Sequence, residues 1–187
     1  MACYEHPNRK PEALVDILEN LAEWTTTFEA GWLAYYRETG ITDFKRYNRP
    51  KNTAVPGSRG IDLSQSRMTF ITTSGAYLAG SQTPFDAAND FGDYSIRLVP
   101  TSTPFEALAY AHDHYDLRAV KTDPQVLLPL RHLEDLAEEG VIGELAPSVI
   151  SFMGYQPDVR RVIDQLIPAV VDAVEAELPD AALLVPA

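Results

Sequence analysis

The sequence predicts an α/β fold: an open, mainly parallel sheet with crossover helices and a helical N-terminal extension. Three observations lead there. Short apolar, β-branched runs alternate with helical periodicity along residues 67–187. The amphipathic stretch 159–177 is followed at once by the apolar run 181–185, which is the spacing of a βαβ unit. Residues 1–66 instead carry helical periodicity and then a Pro- and Gly-punctuated loop, so they read as an extension to a domain at 67–187.

In chain order, residues 11–38 read as helical. Pro11 opens the run, and Leu14, Ile17, Leu18, Leu21, Phe28, Trp32 and Tyr35 recur at three- and four-residue steps. Thr25, Thr26, Thr27 and Gly31 weaken its middle and predict a break there, and Gly40 is its stop. The aromatic residues read either as a core cap or as a partner surface. Residues 41–66 read as loop; Lys45, Arg46, Arg49, Lys51 and Arg59 make them either a solvated segment or an anion-binding strip.

Arg67–Thr73 reads as a strand ending in the small-residue turn Ser74-Gly75-Ala76-Tyr77. Tyr94–Val99 reads as a second strand, closed by Pro100, and Phe105–Ala111 as a short helix or turn. A helix is predicted over 131–139, stopped by Gly140, then a loop from Val141 to Pro147 and a buried strand from Val149 to Met153. The helix Val159–Glu177 is expected to kink at Pro168. Ala181–Val185 is apolar throughout and reads as a buried parallel strand.

Composition excludes several function classes. With 15 Lys and Arg against 27 Asp and Glu, the formal net charge of −12 disfavours nucleic acid and anionic membrane surfaces as partners. No apolar run approaches the roughly 18–20 residues that span a bilayer. Met1–Lys10 lacks the apolar core of a signal peptide, so a cytoplasmic location is expected. The single cysteine, Cys3, reads as an inert thiol near a frayed terminus.

Chemistry concentrates in a few places. In His112-Asp113-His114-Tyr115-Asp116, His112 and His114 share a face if the segment is extended. They read as metal ligands with Asp116, as parts of a turn in which an aspartate caps the backbone, or as metal-free acid–base groups. The site assignment takes His112 and His114 as catalytic, with no metal. Ser74 and Gly75 read as a small anion or carboxylate nest, or as a plain tight turn. Arg97 reads as a clamp for a substrate carboxylate or as a structural ion-pair partner. Ser151, Gly154 and Tyr155 line the crevice with Ser74 and His112 if their strand ends are neighbours; Tyr155 is taken as substrate-binding. No Gly-x-Ser-x-Gly, Gly-x-Gly-x-x-Gly, Walker or Cys-x-x-Cys sequence is present.

Four blocks, in this order and spacing, resemble the glycine/sarcosine/betaine/D-proline reductase selenoprotein B family. They are Thr72–Leu78; Pro84-Phe85-Asp86 with Gly92-Asp93-Tyr94-Ser95 and Arg97; Ala111–Asp116; and Gly143–Pro147 with Ser151–Tyr155 and Pro157. The resemblance covers about residues 67–187. It implies an oxidoreductase component that cleaves an activated C–N bond of a small-molecule substrate together with other reductase-complex subunits. It also implies a selenocysteine in a Sec-x-x-Cys type segment after a strand similar to Asp180–Val185. No cofactor is expected in this chain itself, and that selenocysteine is expected after Ala187, with a UGA codon read as a stop as one explanation. A shortened paralogue and a split protein are the others. A strand without its next crossover helix would leave an apolar face open, so homo-oligomerisation is a further expectation. A non-catalytic partner subunit and a metal-dependent enzyme centred on the His112 segment are the alternative functions.

Overall fold

A computed structural model describes residues 19–49, 52–53, 60–112 and 115–187. Cys3, Pro11, Leu14, Ile17, Leu18, Lys51, Arg59, Asp113 and His114 lie outside the described residues. The chain forms two compact units, Met1–Gly57 and Ser58–Ala187.

In the first unit, helix α1 (Leu21–Phe28) continues through a π-helical turn, Glu29–Leu33, into α2 (Ala34–Thr39). The expected break at Gly31 is therefore a widened turn within an unbroken helical run. The extra residue in the turn accommodates Gly31 without ending the hydrogen-bond ladder. Thr26 and Thr27 direct their hydroxyls at the carbonyls of Ala22 and Glu23, so their polar groups stay within the helix. Trp24, Phe28, Trp32 and Tyr36, four residues apart, are buried and stack at centroid distances of 4.9, 5.8 and 5.0 Å. Gly40, at φ 68°, ends the run in the left-handed conformation that suits glycine. Of the basic residues in the loop beyond, Arg46 pairs with Asp43 and lies 4.3 Å above the Tyr35 ring.

The second unit holds a four-stranded sheet in the order β3-β5-β1-β6. Strand β1 is Arg67–Thr72, β3 is Arg97–Pro100, β5 is Glu144–Ser151 and β6 is Ala181–Val185. Central β1 is parallel to β5 and β6, while β3 adds an antiparallel edge. Two three-residue strands, β2 (Ala76–Leu78) and β4 (Leu108–Tyr110), pair antiparallel in a second sheet. Helix α3 is Leu117–Thr122 and α4 is Leu130–Glu138. The last helical run is α5 (Val159–Arg161), a π turn at Val162–Leu166 and α6 (Ile167–Glu177).

The topology explains the layers. Going from β1 to β5 and from β5 to β6 moves in opposite directions across the sheet. Right-handed crossovers therefore place the two connections on opposite faces. One face, with Met68, Phe70, Val99 and Val149, packs on Leu128, Leu130 and Leu133. Alternation turns Ile71 and Ile150 to the other face, on which Ile163 and Leu166 are buried.

Several elements depart from expectation for local reasons. Strand β5 begins at Glu144, not Val149, and the pairing slips between Met68 and Phe70, where Thr69 alone faces the segment Ala146-Pro147-Ser148. Proline has no N–H for the ladder, so this segment bulges and the strand reads as a loop. The second strand is Arg97–Pro100 rather than Tyr94–Val99, because Asp93 and Ser95 lock the preceding turn. The segment after Thr103-Pro104 is one 3-10 turn, Phe105–Ala107, followed by β4. Pro168 is accommodated by the π turn before it, which absorbs the missing N–H. Strand β6 is parallel as expected, but it is an edge strand: Ala182 is exposed and Leu184 is 66% exposed.

Candidate functional site at the strand ends

The carboxyl ends of β1, β5 and β6 lie side by side, the place where open α/β sheets bind ligands. Thr73, one residue past β1, ties them together. Its N–H donates to the Val185 carbonyl (3.3 Å), its carbonyl accepts from Gly154 N–H (3.1 Å), and its hydroxyl accepts from Ala187 N–H (2.7 Å). Ser74 follows, fully buried and bridged to Met153. Its N–H donates to Thr72 Oγ1 and its carbonyl accepts from the Tyr115 hydroxyl at 2.8 Å. Among the described residues the Ser74 Oγ has no partner, nor has the Oγ of Ser151, buried at the end of β5.

Gly75 sits at φ 67° and exchanges hydrogen bonds with Phe152 and Ala111. A Cβ there would lie 2.6 Å from the Ala111 carbonyl oxygen, so glycine is required by backbone conformation and by close approach alike. That contact sets the position of the next residue, His112, which is only 5% exposed. The His112 ring lies 4.5 Å from the Tyr115 ring. Burial, with Tyr110 nearby, raises the Tyr115 phenol well above its ordinary range, so it remains a protonated donor to Ser74. Burial likewise pushes Tyr110 up to about 12.

Gly154 is the exposed member of this group. A Cβ on it would come 3.2 Å from Thr73 Oγ1 and 3.4 Å from His112 Nε2. Its bare backbone thus leaves space beside the imidazole. The fold brings together Ser74, Gly75, His112, Ser151 and Gly154. Tyr155 points elsewhere, its hydroxyl donating to the Asp90 carbonyl. His114 lies outside the described residues. Asp116 caps α3 through Arg118 N–H and pairs with the Arg118 side chain. Among the described residues, no three His, Cys, Asp or Glu side chains are grouped to hold a metal ion. No helix among them is long and apolar enough to cross a membrane.

Comparison with known proteins matches the sequence blocks that build these strand ends. A family model described as "Glycine/sarcosine/betaine reductase selenoprotein B" matches residues 41–174. The chain belongs to this selenoprotein B family. The D-proline reductase subunit gamma of Acetoanaerobium sticklandii is 28% identical over 123 residues, covering 66% of this chain and 49% of the relative. The glycine reductase complex component B subunit gamma of Peptoclostridium litorale is 28% identical over 132 residues, with 66% and 30% covered. The sarcosine reductase complex component B subunit beta of Peptoclostridium acidaminophilum is 29% identical over 111 residues, with 58% and 25% covered. The chain therefore spans half or less of the length of these curated relatives. No solved structure matches.

The selenoprotein B match contains Thr73, Ser74, His112 and Gly154, while β6 lies beyond it. It also contains the Gly92-Asp93-Tyr94-Ser95 turn, which organises Arg97. The Arg97 guanidinium donates to the carbonyls of Thr83, Pro84 and Ile96 and to Ser95 Oγ, and lies 4.3 Å above the Phe85 ring. These bonds hold Arg97 to the 83–96 segment.

Asp93 is the anchor of that turn. Burial acts to raise its carboxyl, but bonds from the Ser95 hydroxyl and from the N–H groups of Asp86 and Ser95, with the charge of Arg97, outweigh it and hold it below the ordinary 3.8. A depressed carboxylate contributes stability that is present above the unfolded value and lost as pH falls through the folded one. Asp93→Asn should therefore be less stable than wild type at neutral pH. The gap should narrow as pH falls below the ordinary carboxylate range. Urea midpoints of both proteins across that range check this, and a gap independent of pH would refute it.

The role of Thr73 was not visible in the sequence. It reads as one more β-branched strand residue, and only the pairing of β1 with both neighbours gives its three polar groups three different partners. The Tyr115 hydroxyl was missed because its acceptor, the Ser74 carbonyl, lies 41 positions away.

Proposed function

We propose that this chain is a component of a glycine/betaine/sarcosine/D-proline reductase type system, and that it supplies the His112 side of the reductive crevice. The observation that carries this reading is the convergence on Thr73. The exit of β6 at Ala187 and the opening beside His112 Nε2 are both anchored to that one residue. A selenol or thiol entering the crevice after β6, as the family resemblance implies, would supply the reducing group. The chain's own residues would then do the rest. His112 holds or moves a proton at Nε2, the Ser74 and Ser151 hydroxyls, without a partner among the described residues, serve as donors in the wall, and Gly154 leaves the entrance open. The small-molecule substrate reaches the crevice within an assembly of reductase subunits, as the names of the relatives describe for those proteins.

The test is reconstitution with the reductase subunits of the same source. A dithiol reductant is added, and amine release from glycine, sarcosine and betaine and ring opening of D-proline are followed. Turnover of one of these by the assembled complex, and none without this chain, is the expected result. Assembly without turnover on any of the four would replace this reading with a non-catalytic binding subunit.

A further inference from the structure

Beyond the strand-end site, the second unit holds the guanidinium of Arg161 on a fixed platform. It lies 4.0 Å above the Tyr94 ring, and its Nε donates to Gln165 Oε1 at 3.2 Å. Its terminal nitrogens have no acceptor among the described residues. The platform beneath it is fixed. The Tyr94 hydroxyl accepts from Asp158 N–H at 2.8 Å, and Asp158, 4% exposed, caps the N–H groups of Arg160 and Arg161. The guanidinium is therefore held in place before any ligand arrives, which lowers the entropy lost on binding.

Arg161 faces a surface hollow of ≈ 430 Å³ that Asp86, Asn89, Asp93, Ser95 and Gln165 also line. Its two carboxylates differ. Asp93 is occupied by the bonds from Asp86 N–H, Ser95 N–H and Ser95 Oγ. Asp86 contributes its N–H to that turn, while its own carboxylate is exposed and accepts no bond from the described residues. The hollow thus presents one unpaired cation and one unpaired anion on fixed backbone. None of His112, Ser74 or Gly154 lines it.

We propose that this hollow binds a small zwitterion, with its carboxylate on Arg161 and its cationic group on Asp86. A simple anion would meet Arg161 but face Asp86 and Asp93 as like charges. A simple cation would meet Asp86 but face the guanidinium. Only a ligand carrying both charges satisfies both groups, and the volume admits a small amino acid. This site is independent of the proposed chemistry at the strand ends.

The test is a titration of the ¹⁵N-labelled full chain with glycine, followed at the amides of Gly92, Asp93 and Ser95 and at Arg161 Nε. Acetate and methylammonium serve as half-ligands. Glycine should shift these signals. Arg161→Gln and Asp86→Asn should each weaken binding at least about tenfold, the loss of one charge-assisted contact. Asp86→Asn, at an exposed carboxylate, keeps the test decisive if Arg161→Gln does not fold. Three outcomes would overturn the proposal: no shift at millimolar glycine, shifts confined to Ser74, Gly75 and Gly154, or acetate binding as tightly as glycine. The second of these would leave the strand-end reading standing, so the two fail separately.

Discussion

Gly75→Ala should cost about 3 kcal/mol of stability, while Gly80→Ala should cost only about 1 kcal/mol. Both glycines have positive φ, 67° and 79°, so an alanine at either meets the same left-handed penalty. They differ in what the new methyl touches. At Gly80 there is nothing within 4 Å among the described residues; at Gly75 the methyl comes 2.6 Å from the Ala111 carbonyl oxygen and 3.3 Å from its carbon. Those are backbone atoms and cannot swing aside, so the β2–β4 pairing must shift. The Ala111 N–H to Gly75 carbonyl bond goes with it. For a chain of this size the larger loss corresponds to a melting temperature lower by roughly 6–12 °C. Equal losses in the two variants would show that backbone conformation alone, and not the contact with Ala111, fixes glycine at 75. Because His112 follows Ala111 directly, the same substitution should also displace the imidazole.

The sequence and the structure agree where one residue's chemistry dictates its conformation. Strand β1 was legible because Met68–Thr72 are apolar or β-branched at every position, as a strand covered on both faces requires. Gly40 was legible as a stop because the left-handed conformation is a property of glycine itself. Agreement failed where an element depends on a distant partner. Strands β2 and β4 have three residues each, too few for alternation to show, and they exist because each finds the other. Strand β6 shows the limit of composition. Its five apolar residues read as buried, yet position at the sheet edge leaves Leu184 exposed. The site divides the same way. Ser74, Gly75 and His112 stand out as small or titratable residues at the end of a strand. Arg97 and Arg161 are indistinguishable as sequence; only the folded chain shows that one is bonded within its own loop and that the other is left open to a hollow.

His112→Gln should lower turnover of the reconstituted reductase by about 100-fold or more, the usual scale for losing a positioned acid–base group. Glutamine keeps polarity and fills much of the space beside Gly154, so a purely structural role for His112 would leave turnover nearly intact. A second readout needs no activity. In Ala187→Cys, a thiol is placed on the residue whose N–H is bonded to Thr73 Oγ1, within the group that brackets Gly154 and His112 Nε2. A nearby imidazole that can carry a proton favours the thiolate, so this thiol should titrate below the free value of about 8.5. Its rate of reaction with an aromatic disulfide against pH gives that value directly. Adding His112→Gln should return it to about 8.5. If the thiol titrates normally with His112 present, the thiolate stabilisation expected at the strand ends is absent. His112 would then be a packed neighbour of Tyr115 and not part of a redox crevice.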